Sequence, residues 1–200
     1  MENFSIDYAF VLSQSRATTK DDLVKALLEV LPYDWRDEYV KMTPTETNIL
    51  RFSDGGFEFL FDFSSELIAT GEVADEDAVE DRVVATFGFS KGIVERRDAS
   101  RMQGFPKSPI GSPMMDKGHL LARSSGGGVD VNLFPQRTEL NRGWSERGKV
   151  FRQMEKYCAA HVGTFSFCRP IYVDRSWVPG AIEYGVLTKE LKLWVERFEN

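Results

Sequence analysis

Four phenylalanines at every second position, Phe57, Phe59, Phe61 and Phe63, follow directly on Asp54-Gly55-Gly56. Period-two spacing sends alternate side chains to one side of an extended chain, and a Gly-Gly pair supplies the positive φ angles of a two-residue hairpin turn. The spacing predicts a β-hairpin over Ile49–Phe63 with one bulky aromatic face, which a fold must cover. Leu67–Val73 reads as an extension of the same sheet. Val83–Phe87, Gly92–Arg96, Thr164–Cys168, Ile171–Asp174, Ile182–Leu187 and Leu191–Phe198 are further strand candidates, a final strand plus a short helix being the alternative for the last segments, with Pro170 and Pro179-Gly180 as breaks.

Helical signals are fewer. Thr18 and Thr19 precede Asp21 and Asp22, a capped start, and Leu23, Val24, Leu27, Leu28 and Leu31 recur at helical spacing until Pro32. This predicts a helix over Lys20–Leu31 and a turn-rich connector over Pro32–Asn48. Tyr8–Leu12 fits a strand or a short helix. A second amphipathic helix is expected over Val150–His161, stopped by Gly163. The fold class is therefore α+β, an antiparallel sheet flanked by helices. With 42% apolar residues and 15 phenylalanines, 200 residues can build one sizeable core or two small ones.

No run of about 18 apolar residues is present, so no membrane span is expected. MENFSIDYAF lacks a basic stretch followed by an apolar one, so the chain reads as cytoplasmic when made, a signal-independent export route being compatible with it. Cys158 and Cys168 have neither metal-ligand spacing nor disulfide-scaffold density and are expected to be reduced and buried.

Net charge is −6, but its distribution matters more. Residues 1–90 hold 7 Lys/Arg against 19 Asp/Glu, whereas residues 91–157 hold 13 against 7 and residues 158–200 hold 5 of each. A division near residue 90 would separate an acidic α/β region, 1–90, from a domain over 91–200; one composite domain is the equal alternative. The basic stretch suits a polyanionic partner. The acidic run EVADEDAVEDRVVATF is a solvated segment or, alternatively, a flap imitating phosphate charge over a basic groove.

The basic stretch contains DKGHLLARSSGGGVDVNLFPQRTELNRGWSERGKVFRQME, Asp116–Glu155. It holds His119, one of only two histidines, then a Ser-Gly run, an apolar segment, a Pro-Gln turn flanked by Asn132 and Asn141, and a helix-like run ending at Glu155. Hydrolysis of a phosphodiester needs a proton acceptor for water, a cation for the phosphate, and relief of charge on the leaving oxygen. Histidine suits the first task near neutrality. A hard cation such as Mg²⁺ suits the others, because it accepts an amide oxygen and several waters without a cage of carboxylates. A neutral Asn ligand also leaves the whole +2 charge for the substrate.

DKGHL, then GG, then NLFPQRTELNRG, then FRQME resembles the sugar-non-specific DNA/RNA endonuclease family of the ββα-metal (His-Me finger) superfamily. The resemblance covers about forty residues and does not reach residues 1–90. It implies a ββα-metal finger within 116–161, His119 as general base, Asn141 as the direct protein ligand of Mg²⁺ (Mn²⁺ substituting), and Glu155 holding a water of the metal. Asn132, Asp116 and Gly118 would support the geometry. Lys117 stands where the family has Arg, retaining charge without the bidentate fork. Arg123, Arg142 and Arg152 are candidate phosphate contacts, and Arg96, Arg97 and Arg101 weaker ones. Trp144–Val150 reads as an insertion. An unbroken helix would return Glu155 to within about 40° of the face of Asn141, but Gly143 and Gly148 argue for a break. Trp144 is expected in the core, with base stacking the alternative, and His161 is expected as a cap or core residue.

The expected activity is metal-dependent, non-specific endonucleolytic hydrolysis of DNA and/or RNA. Two alternatives stand beside it: a catalytically silent binding protein that keeps the finger as a scaffold, and a nuclease toxin module restrained by its acidic half or by an inhibitor or immunity protein.

Overall fold

The computed structural model describes residues 6–15, 17–92 and 114–200. Its elements are α1 (Tyr8–Gln14), α2 (Lys20–Met42), β1 (Ile49–Asp54), β2 (Phe57–Asp62), α3 (Ser64–Thr70), β3 (Arg82–Phe89), β4 (Met115–His119), β5 (Leu133–Arg137), α4 (Thr138–Asn141), α5 (Glu146–Ala160), β6 (Phe165–Ile171), β7 (Ala181–Leu187) and β8 (Leu193–Glu199). The architecture is α+β: an antiparallel sheet flanked by helices. Six strands form one sheet in the order β1-β2-β3-β6-β7-β8, and β4 and β5 form a separate pair.

The hairpin closes as its sequence requires, with Gly55 and Gly56 at φ 57° and 80° and Asp54 opposite Phe57. Phe57 and Phe59 are buried, while Phe52, Phe59, Phe61 and Phe63 make a chain of ring contacts along one face. β3 then pairs with β6, not with its successor in sequence, so the sheet runs through both halves of the chain. The described residues between Ser90 and Thr164, including β4, β5 and α5, are an excursion between two adjacent strands.

Its entrance and exit are tied together. Ser90 donates its N–H to Thr164 O at 2.8 Å and accepts from Thr164 N at its hydroxyl at 3.1 Å. Gly163 N donates to Ser90 O at 2.7 Å, and the Ser90 hydroxyl donates to His161 O at 3.0 Å. Four bonds at one residue fix where the excursion leaves and re-enters the sheet.

Each face of the sheet has its own core. Leu60, Phe87, Phe165, Phe167 and Leu187 pack with Leu23, Leu27, Leu31 and Trp35 of α2. Phe57, Phe59, Cys168, Ile182, Tyr184 and Phe198 pack with Phe134 of β5 and Phe151, Met154 and Cys158 of α5. The cysteines are free and buried. No helix among the described residues is long and apolar enough to cross a membrane.

Several local expectations are corrected. Pro32 does not end α2, which continues to Met42 with Pro32 inside it. The next turns bury Trp35 (0% exposed) and Tyr39, whose hydroxyl donates to Asp62 at 2.7 Å and accepts from Arg82 at 2.8 Å. Those anchors outweigh the roughly 3 kcal/mol that an internal proline costs. Leu67–Val73 is not a strand: α3 occupies Ser64–Thr70 and ends on Gly71 in the left-handed region. Pro170 lies within β6, and the strand expected at Ile171–Asp174 is only the end of β6. Of the strand expected over Gly92–Arg96, all but Gly92 lies outside the described residues, as do Arg96, Arg97 and Arg101.

The acidic run is held by residues 175–177 and by Ser65. Arg175 donates to Glu76 O and pairs with Asp77 at 3.5 Å, Trp177 N donates to Glu80 at 2.7 Å, and Asp81 accepts from Ser65 N and Oγ.

Candidate functional site

β4 and β5 are antiparallel, with Asp116 opposite Gln136, Lys117 opposite Pro135, Gly118 opposite Phe134 and His119 opposite Leu133. The Pro-Gln pair read as a turn is thus part of a strand. Proline is tolerated there because a two-stranded ribbon has only edges. Gly118 is required by close approach: a Cβ would lie 2.3 Å from Gln136 Oε1 and 2.5 Å from its Cβ. Gln136 is fully buried, and its amide has no hydrogen-bond partner among the described residues.

His119 ends β4, half-buried, with its Nε2 enclosed. The chain beyond it is pinned by Asn132, which is 1% exposed. The Asn132 side chain accepts from Leu121 N at 3.0 Å and donates to Leu121 O at 2.9 Å and Gly128 O at 3.0 Å. Gly127 belongs to the same loop, where a Cβ would strike Leu121 O. A 3₁₀ turn, Arg123–Ser125, follows, with Arg123 half-buried, as is Lys117 on β4.

Asn141 lies at the end of the short helix α4. Asp116 ties it to the His119 strand: Asn141 Nδ2 donates to Asp116 Oδ2 at 3.1 Å, and Arg142 donates from Nε and Nη2 to Asp116 at 2.8 and 2.9 Å. Asp116 is therefore a clamp between strand and helix. Hydrogen bonding from Arg142 holds its carboxyl below the usual range despite partial burial. The bond from Asn141 Nδ2 to Asp116 orients the Asn141 carboxamide, because only the NH₂ end can face a carboxylate and the oxygen end is left at the other side.

Gly143, at φ 72°, turns the chain out of α4, and Ser145 caps α5 by accepting from Gly148 N at 3.0 Å. The expected break is at Gly143 only. Gly148 is inside α5, where it lets the helix approach α4, since a Cβ there would be 2.5 Å from Glu139 O. A Cβ on Gly143 would meet Arg152 Cγ at 2.9 Å, so Arg152 lies across the turn that follows Asn141. Arg152 donates to Glu155 Oε2 at 2.6 Å. Glu155 is 5% exposed, and burial pushes its carboxyl up to about 7 against the opposing pull of Arg152. Trp144 is 63% exposed and not in the core. His161 caps α5, its Nδ1 3.0 Å from Tyr157 O.

The structure thus brings Asp116, Asn141 and Arg142 into direct contact and sets Arg152 with Glu155 beside them. Asn132 shapes the loop after His119. No group of three or more His, Cys, Asp or Glu side chains able to cage a metal exists among the described residues. With Asp116 held at both oxygens by Arg142, the oxygen donor left here is the Asn141 carboxamide, which fits a hard cation that keeps most of its water.

No protein-family model matches the chain, and no curated protein matches it. The fold is similar to the structure of Sda1 nuclease with bound zinc ion, 16% identical, covering 76% of this chain and 75% of that one at a TM-score of 0.38. A likeness so distant carries no argument about chemistry.

Proposed function

We propose that this protein is a Mg²⁺-dependent, non-specific endonuclease of the His-Me finger kind acting on DNA and/or RNA. The observation that carries the reading is the Asp116 clamp, which joins the strand ending in His119 to the helix ending in Asn141 and aims the Asn141 amide. His119 takes a proton from water, whose oxygen forms a bond to phosphorus as the bond to the 3′ oxygen breaks, giving a 5′-phosphate end. Asn141 Oδ1 would hold Mg²⁺ (Mn²⁺ substituting), and Glu155 would orient water beside it. The ion, when bound, supplies positive charge to the phosphate and the departing oxygen.

Lys117, Arg123, Arg142 and Arg152 contribute positive charge to the backbone of the strand, so sequence preference is weak. Arg142 and Arg152 do this while partly engaged by Asp116 and Glu155.

Restraint by the acidic half is a poorer reading, since Glu76, Asp77, Glu80 and Asp81 are held by Arg175, Trp177 and Ser65. An inhibitor or immunity partner would act from outside. Removing residues 1–90 would strip β3 from β6, so the test uses the full chain. With Mg²⁺ and plasmid DNA or RNA, His119→Ala should lower the cleavage rate about 10²–10⁴-fold. A variant that cuts as fast as the parent overturns the proposal.

A further inference from the structure

Of the four tryptophans, Trp35 is fully enclosed and Trp177 and Trp194 are half-buried, whereas Trp144 presents 63% of its surface to solvent. A single exposed aromatic is unremarkable by itself. This one is held in place. Trp144 N donates to Glu139 O at 2.9 Å, Gly143 fixes the turn before it at φ 72°, and Ser145 caps α5 after it. The Arg142 guanidinium lies over its ring, 4.9 Å from the centroid, and is itself gripped at Nε and Nη2 by Asp116. Arg142 Nη1 has no partner among the described residues.

Basic side chains surround Trp144. Lys149, Arg152 and Lys156 lie on the exposed side of α5 at helical spacing, and Arg152 crosses the Gly143 turn. The counter-charges are Glu146 on Lys149, Glu155 on Arg152 and Asp116 on Arg142, each meeting its cation from one side only, and Lys156 adds a further positive charge. A rigid ring with a cation on one side and a basic helix beside it matches what unpaired nucleobases need: a flat surface to stack on and charge for the flanking phosphates. In a duplex the base faces are already stacked on one another and cannot use such a surface.

We propose that Trp144, backed by Arg142, is a stacking platform for an unpaired base, and that it gives the protein a preference for single-stranded nucleic acid. This rests on the nuclease reading above only in taking nucleic acid as the partner.

The test measures binding by fluorescence anisotropy in the full-length His119→Ala protein, so that no strand is cut. Three short labelled probes are used: a single strand, a single strand of the same length with abasic sugars, and a duplex. Adding Trp144→Ala should weaken binding of the ordinary single strand about tenfold while leaving the abasic strand and the duplex unchanged. Trp144→Tyr should recover most of the loss, because it retains a ring. Equal affinities of Trp144→Ala and its parent for the ordinary strand overturn the platform, as does an equal loss on the abasic strand or a parent that binds no strand. A wild-type chain that binds single strands through Trp144 but never cleaves them sinks the nuclease reading and leaves the platform standing. One that cleaves, with binding indifferent to Trp144, does the reverse.

Discussion

Glu183 and Glu155 are buried on opposite faces of the same sheet, and their surroundings differ. Glu183, 0% exposed, receives Arg169 through two bonds of 2.9 Å and the Tyr8 hydroxyl at 2.6 Å, with Trp35 Nε1 donating to that hydroxyl in turn. Glu155, 5% exposed, is bonded by Arg152, whose own side chain is 46% exposed. Equal depth therefore gives unequal consequences. A carboxylate gripped at both oxygens by an enclosed guanidinium serves the fold. One balanced between burial and a half-solvated arginine can change charge near neutrality, which suits a group that orients water beside a phosphate.

The largest effect belongs to the gripped carboxylate. Glu183→Ala leaves the Arg169 guanidinium, 5% exposed, without its counter-ion. Loss of one member of a buried pair costs about 3–5 kcal/mol, and urea denaturation should show it as a lower midpoint at unchanged slope. An unaltered midpoint would mean that the network of Tyr8, Trp35 and Arg169 does not hold α1 and α2 to the sheet.

Glu155→Gln should act in the opposite direction on stability. Its carboxyl lies at about 7 in the folded chain against an ordinary 4.5, so between those values the folded state binds more protons than the unfolded one. Stability from this group is complete below about pH 4.5 and is lost as pH rises through 7. The amide avoids that loss, so the variant should exceed the parent by about 1–3 kcal/mol at pH 8 and match it near pH 4. Under the proposed function the same variant should cleave about 10–100-fold more slowly. A gain in stability without a loss of activity would assign Glu155 to the core alone.

The contrast also separates what sequence pattern reveals from what only packing decides. Phe57, Phe59 and the Gly55-Gly56 turn declare a hairpin because period two and positive φ are local properties. The contact of Asp116 with Asn141 and Arg142 was not legible in the same way, because it joins residues 25 and 26 positions apart. Pro32 misled because its cost is local whereas the burial of Trp35 and Tyr39 is not. Leu67–Val73 misled because a short apolar run has no decisive period, and its helix is settled by Gly71 and the docking of Leu67. Trp144 read as core on composition, yet the turn at Gly143 and the cap at Ser145 project it into solvent. Nor could pattern distinguish the two glutamates, whose difference lies in how far each arginine is withdrawn from water.

The smallest effect tests that last point directly. Arg152→Met keeps the stem that covers Gly143 and removes only the charge. Because Arg152 is nearly half exposed, its attraction to Glu155 is screened, and the loss should be at most about 1 kcal/mol. The direction is set by the pair: without Arg152 the Glu155 carboxyl rises further above about 7. The deficit should therefore grow above pH 7 and vanish near pH 5, where Glu155 is protonated in both proteins. Thermal melts across that range read the deficit, and the rising limb of a cleavage profile should move to higher pH with it. Curves that superimpose at every pH would show that Arg152 does not moderate Glu155, and the contrast between the two glutamates would then reduce to burial alone.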